Sequence, residues 1–232
     1  MKKRREYVAV LAFLAAIIGI SGCSRQKEEK LTKYDTQFFE LFDTVTSVTG
    51  YARDEKTFQS YVDVFYDELK EYHQLYDIYN DYEGINNIKT INDHAGIEPV
   101  EVDDKIIQML EEAVDIYELT DGNMNVAMGS VLSIWHEYRE AGLKHPEQAQ
   151  LPPQEELEEA AKHMDIRKMV IDPEKKTVYL EDPDMSLDVG AIAKGYAAEM
   201  ASRKVEEAGL KHALISVGGN IRCIGTKPDG QK

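Results

Sequence analysis

From residue 54 onward, runs of helical periodicity alternate with short β-rich stretches. Residues 54–79 place Phe58, Tyr61, Val62, Phe65, Leu69, Tyr72 and Tyr76 at three-four spacing, with acids and lysines between them. That spacing predicts a long amphipathic helix. Residues 103–119 repeat it, with Ile106, Ile107, Leu110, Val114 and Tyr117 on one face and Asp103 as the cap. A turn at Asp121-Gly122 leads into a helix-like stretch that carries Trp135, and "LPPQEELEEAAKHMD" opens a short acidic helix. On the β side, residues 41–51, "LFDTVTSVTGY", are rich in Val and Thr and predict a first strand. "KMVIDPEKKTVYLED" reads as a hairpin about Asp172-Pro173. Leu187–Val189 as strand, Ala191–Glu207 as helix, "HALISV" as strand and "IRCIGTKPDG" as a strand entering a turn complete the order. Residues 79–96 are rich in Asn and Gly and read as loop with short structured pieces. Helices interleaved with hairpins predict an α+β fold, a mixed, largely antiparallel sheet flanked by helices.

The N-terminus is a separate object. "MKKRR" and Glu6 precede fourteen residues, "YVAVLAFLAAIIGI", too short for a standard spanning helix, and the run ends in "ISGC", Ile20 to Cys23. This resembles a bacterial lipobox. Residues 1–22 then form a lipoprotein signal peptide, Cys23 carries acyl chains such as palmitate, and residues 23–37 are a polar tether to a domain at 38–232. Each buried methylene contributes roughly 0.8 kcal/mol, so several chains on one cysteine anchor stably on the extracytoplasmic face of the cell membrane. A signal anchor with an incidental cysteine is the plainer alternative. The chain holds two cysteines, Cys23 and Cys223, so lipidation of the first leaves the second without a partner. The formal charge of −16, with no basic stripe after residue 33, excludes nucleic acid as a partner.

Candidate chemistry concentrates in three glycine-bearing turns. "SLDVGAIAKGYAAEM", 186–200, sets Asp188 at a strand end and Lys194 one turn into a helix. A helix start favours anions such as phosphate, Lys194 adds a full charge, and Asp188 suits a ligand hydroxyl or ring N–H. The same corner also suits plain packing with a solvated lysine, and spacing alone leaves both open. In "DGNMNVAMGS", Asn123 and Asn125 suit the polar edge of a heterocycle and Met124 its face, although from chemistry alone a helix cap with ordinary packing is the better account. "SVGGNIR" places Gly218-Gly219 after a buried strand, where positive φ or close backbone contact needs glycine. None of the histidines shows metal-ligand spacing, and His136 reads as a surface residue. Tyr72, Tyr76, Tyr79 and Tyr82 read as core and rim.

"FDTVTSVTGY", "LYDIYNDYEGINNI", "DGNMNVAMGSVLSIWH", "LDVGAIAKGYAAE" and "LISVGGNIRCIG", in that order, resemble the ApbE family of FAD:protein FMN transferases. The resemblance implies FAD as substrate and Mg²⁺ as cofactor. FMN passes to a threonine or serine hydroxyl of an acceptor flavoprotein, such as an extracytoplasmic subunit of a redox-driven ion pump, and AMP is released. It also implies site residues: Asp188 and Lys194 as FAD contacts, and Ala191 as a metal position acting through its main-chain carbonyl. Asn123, Met124 and Asn125 match the flavin-binding turn, although many members carry an aspartate at the position of Asn125. Phe42 and Tyr79 match an apolar and an aromatic FAD contact. Members continue past the point where this chain ends in "GTKPDGQK", through stretches resembling "HIIDP" and "ADALAT" that carry the Mg²⁺ carboxylate and catalytic residues. The catalytic residues are therefore unassigned here, and the sequence reads as the N-terminal portion of a longer protein, with a naturally truncated, inactive product as the alternative. A flavin-binding or scavenging lipoprotein without transferase activity is the rival reading, and a non-catalytic solute-binding module a third.

Overall fold

The computed structural model describes residues 30–230. Its strands form two antiparallel sheets. The larger has the order β1 (Thr32–Phe38), β2 (Thr46–Ala52), β6 (Ala213–Val217), β7 (Asn220–Ile224). The smaller sets β5 (Thr177–Leu180) between β3 (Val100–Glu101) and β4 (Met169–Asp172), and its β4–β5 pair is the hairpin read from the sequence.

Helix α1 (Glu55–Leu75) begins at Asp54, whose carboxylate accepts from Thr57 N–H at 2.7 Å. Its stripe of Phe58, Val62, Phe65, Leu69, Tyr72 and Leu75 is buried, each large side chain contributing roughly 1.5–3 kcal/mol of apolar burial. The short α2 (Ile88–Asp93) carries a capping box between Asn87 and Thr90. Next come α3 (Asp104–Leu119), capped by Asp103, then α4 (Gly129–Lys144), entered through one 3₁₀ turn at Val126–Met128, and α5 (Gln154–Ala160). Helix α6 (Ala193–Glu207) buries Ala197, Ala198, Ala201 and Val205. These small side chains let it lie alongside α1, and both helices cover one face of the four-stranded sheet. Among the described residues no helix is long and apolar enough to cross a membrane.

The fold is α+β, as the pattern predicts, and every strand pair among the described residues is antiparallel. Four boundaries differ from the sequence reading. Part of the polar tether is strand β1, which pairs with β2 from Thr32↔Ala52 to Phe38↔Thr46. Its alternate residues Tyr34 and Phe38 face α1, with Tyr34 stacked on Phe58 at 5.5 Å and Phe38 edge-on to Tyr66 at 5.0 Å. The strand expected over 41–51 begins only at Thr46, because Phe42 and Asp43 hold φ of 55° and 49°, outside any ladder conformation. Leu187–Val189 belongs to no sheet, and α6 starts two residues later than expected. The β6–β7 hairpin turns through Gly218 and Gly219 at φ 56° and 92°, the two positive angles a tight hairpin turn requires. Cys23 and the signal segment lie outside the described residues.

Candidate functional site

The segment carrying Asp188 is held in place by neighbours other than strands. Leu187 N–H donates to Asn92 Oδ1 at 2.7 Å, while Asn92 Nδ2 donates to Leu187 O at 3.0 Å. One side-chain amide thus takes both main-chain partners that a strand would supply. On the other side Asp188 N–H donates to Val126 O at 2.8 Å and Gly129 N–H to Ser186 O at 3.0 Å. The approach at Gly129 is so close that a Cβ there would stand 2.6 Å from Ser186 O. Past Asp188 the chain turns sharply. Asp188 Oδ1 accepts from Gly190 N–H at 2.8 Å, Val189 O accepts from Ala193 N–H at 2.8 Å, and α6 begins with no side-chain cap.

That corner opens on a cavity of about 620 Å³ lined by Phe42, Tyr79, Asp188, Ala191 and Lys194, positions up to 152 residues apart in sequence number. His73, Asp77, His136 and Arg139 line it as well. Two cations, Lys194 and Arg139, face this space without an ion-pair partner among the described residues. A second recess of about 300 Å³ adjoins it, sharing Ile78, Tyr79, His136 and Asp188, with Asn92, Ser186 and Leu187 in its wall. The Asp188 side chain is only 12% exposed, and its Oδ2 lies 3.6 Å from His136 Nε2.

The opposite wall is built around Asp77. Its Oδ1 accepts from Tyr79 N–H at 2.7 Å and Asn80 N–H at 3.1 Å, and its Oδ2 from Asn80 Nδ2 at 3.0 Å and Tyr82 Oη at 2.8 Å. Burial would raise the Asp77 carboxyl, but these hydrogen bonds outweigh it and hold it below the usual carboxylate range. Burial first, and then the bond to Asp77, pushes the Tyr82 phenol up to about 12. His73 links this hub to the far side. Its Nδ1 accepts from Phe42 N–H at 3.3 Å, its Nε2 lies 3.5 Å from Tyr82 Oη, and its ring sits edge-on to Phe42 at 5.3 Å. The left-handed backbone at Phe42 and Asp43 costs roughly 1–2 kcal/mol per residue, and the His73 contact is one of those that hold it. Tyr79 is 61% exposed, and partial desolvation, followed by the Asp188 and Asp77 carboxylates, raises its phenol.

Five of the residues matched to FAD or metal contacts therefore meet in one cavity, and three do not. Asn123 Nδ2 donates to Thr120 O at 2.7 Å, Asn125 Oδ1 accepts from Ala127 N–H at 2.9 Å, and Asn125 Nδ2 donates to Met164 O at 2.9 Å. Met124 packs against the core. These side chains are engaged in capping the turn that positions Val126 and Gly129 behind Asp188. His136 is at the surface, as the sequence reading has it, with its side chain 44% exposed. It is a wall of both recesses, because Gly129 pins the start of α4 on Ser186 and carries the second turn over Asp188. The signal was the spacing of Ser133, His136, Glu137 and Glu140, which puts them on one helix face. Asn92, His73, Asp77 and Arg139 carried no local signal.

A family model described as the ApbE family matches residues 42–232. The chain belongs to the ApbE family. A FAD:protein FMN transferase of Vibrio cholerae is 25% identical over 220 residues, covering 95% of this chain and 62% of the relative. One from Treponema pallidum is 32% identical over 145 residues, 60% of this chain and 38% of its own. Among solved structures, the ApbE protein of Thermotoga maritima superposes with a TM-score of 0.70 at 26% identity, covering 84% of this chain and 60% of that one. Flavin transferase ApbE from Vibrio cholerae gives 0.69 at 21% identity, which supports the fold. The ApbE-family chain described here thus spans about three-fifths of the length of the Vibrio cholerae and Thermotoga maritima relatives and 38% of the Treponema pallidum one.

Proposed function

We propose that this protein is an FAD:protein FMN transferase. The observation that carries the reading is the convergence of Phe42, Tyr79, Asp188, Ala191 and Lys194 on one cavity, in a chain of the ApbE family. The volume of about 620 Å³ suits much of a dinucleotide. Lys194, Arg139 and the uncapped start of α6 attract its diphosphate. Asp188 Oδ2 accepts a hydrogen bond from a ribityl or ribose hydroxyl or a ring N–H, and Tyr79 offers a flat face to an aromatic ring. In the transfer, the acceptor's threonine or serine oxygen attacks the phosphorus of the FMN moiety. The bond from that phosphorus to the bridging oxygen breaks, AMP leaves with the electron pair, and the hydroxyl proton is released. No described residue is assigned the removal of that proton.

Mg²⁺ is the cofactor the family resemblance implies, with the Ala191 carbonyl as one ligand. The described residues do not complete its shell. Among them, the one group of three potential ligands is His163, Asp182 and Asp184, and Asp182 there is engaged by Lys168 at 2.7 Å. No step is therefore assigned to the ion. Acyl anchoring at Cys23 on the extracytoplasmic face, with a membrane-associated flavoprotein as acceptor, accords with the sequence of residues 1–23.

The test incubates the full-length protein, including whatever sequence it carries beyond residue 232, with FAD, Mg²⁺ and a threonine-bearing acceptor flavoprotein. Flavin fluorescence that stays with the acceptor through a denaturing gel is the expected result. An acceptor that remains dark while the chain retains FAD turns the assignment to a flavin-binding protein. Absence of FAD binding removes the flavin reading altogether.

A further inference from the structure

We propose that His136 is a positioning residue of this site, orienting Asp188 and Tyr79 together for the flavin nucleotide; the inference rests on the flavin reading given above. Asp188 has two oxygens with different fates. Oδ1 is held by Gly190 N–H at 2.8 Å, which leaves Oδ2 as the oxygen able to meet a ligand. Among the described residues, His136 Nε2 at 3.6 Å is the side-chain nitrogen that stands against Oδ2. The same nitrogen lies 3.4 Å from Tyr79 Oη, with the two rings edge to face at 6.2 Å and 89°. With its proton on Nε2, one imidazole points between a carboxylate oxygen and a phenol oxygen. At 3.6 Å the approach to Oδ2 is an electrostatic contact rather than a hydrogen bond, and it aligns the carboxylate without engaging it fully.

Tyr79 shows why such a residue matters. Its main chain is fixed by the bond to Asp77, but its ring is 61% exposed and has no other side-chain hydrogen bond among the described residues. An aromatic ring left to rotate must be ordered when a ligand stacks on it, at about 0.5–1.5 kcal/mol for a side chain of this kind. His136 does that ordering in advance. It also sits where the two recesses meet, so the carboxylate and the ring it aligns face both the larger and the smaller space. A residue serving only as a solvated helix face would contact neither.

The test is a fluorescence titration of the full-length chain with FAD, comparing wild type, His136→Ala, His136→Gln, Asp188→Ala and the double variant His136→Ala/Asp188→Ala. His136→Ala is expected to weaken FAD binding about tenfold, the loss of one charge-assisted contact. His136→Gln, which keeps an N–H donor at similar reach, is expected to recover binding to within about threefold of wild type, because the donor matters rather than the bulk. In the Asp188→Ala background, His136→Ala is expected to cost clearly less than in wild type, since only the ordering of Tyr79 is then left to lose, the signature of coupled residues. Wild-type binding that His136→Ala leaves within twofold overturns the role of His136 while the flavin reading stands. Equal losses in His136→Ala and His136→Gln, or full additivity with Asp188→Ala, overturn it too. A wild-type chain that binds no FAD overturns both.

Discussion

Replacing Gly129 with alanine tests whether the contact behind Asp188 is as tight as the structure shows. Gly129 is the first residue of α4, and in a helix alanine is ordinarily better than glycine by ~1 kcal/mol. Here the added Cβ would stand 2.6 Å from Ser186 O and 2.7 Å from Ser186 C, main-chain atoms that cannot rotate away. Overpacking of that kind costs ~1–3 kcal/mol. Parting the two segments also weakens the 3.0 Å bond from Gly129 N–H to Ser186 O, a loss of ~1 kcal/mol. The propensity gain offsets part of this, and the net expectation is a destabilisation of about 2 kcal/mol, or about 4–8 °C in Tm for a chain of this length. Gly195 supplies the control, since a Cβ there meets nothing nearer than Asn220 Oδ1 at 3.4 Å. Gly195→Ala is expected to be neutral or more stable by up to ~1 kcal/mol. Thermal melts followed by circular dichroism, with urea titrations followed by Trp135 fluorescence, measure both. A Gly129→Ala protein that melts at or above wild type would falsify the close approach, and with it the account of how Asp188 is placed.

Lys194→Ala is expected to weaken FAD binding about tenfold, since one charged phosphate contact is lost; unchanged affinity takes Lys194 out of the site. Asp77→Ala strips acceptors from Tyr79 N–H, Asn80 and Tyr82 Oη, and urea denaturation should show a loss of roughly 2–4 kcal/mol. A loss under 1 kcal/mol would show that Asp77 does not organise this wall. The Lys168 ammonium, ahead of Asp184 N–H and His163, holds the Asp182 carboxyl down to about 2 against its burial. A depressed carboxyl stabilises the fold above its unfolded value of 3.8 and loses that contribution as pH falls from there towards about 2. Asp182→Asn should therefore flatten the decline of stability across that window, and an unaltered slope argues against the ion pair.

Much of the architecture was legible because it rests on local patterns. The stripe from Phe58 to Leu75 and the cap at Asp103 specify α1 and α3 without help from the rest of the chain. The paired glycines at 218–219 called for positive φ or close backbone contact, and both adopt positive φ. Strand β1 was missed although its period is two, with Tyr34 and Phe38 inward and Lys33, Asp35 and Gln37 outward. Its polar outer face belongs to an edge strand and reads as tether when no partner is in view. Leu187–Val189 failed for the opposite reason. Its apolar residues announce burial, but the groups that satisfy its main chain come from Asn92, 95 positions away, and from Val126.

The site divides in the same way. Asp188 and Lys194 stand in one turn and were visible together, whereas the far wall depends on an αL kink at Phe42, a hub at Asp77 and a bridge at His73. None of these has a sequence signature, because each acts through a neighbour brought by the fold. The Asn123–Asn125 turn shows how far residue type alone can mislead about contact. Two asparagines and a methionine suit a heterocycle's edge and face, yet here their polar groups cap the turn whose next residues fix Asp188 from behind. A substitution in that turn is therefore expected to act on flavin binding through the position of Asp188. Asn125→Ala should lower stability and FAD affinity together, and a loss of affinity at unchanged stability would return Asn125 to the ligand's own shell.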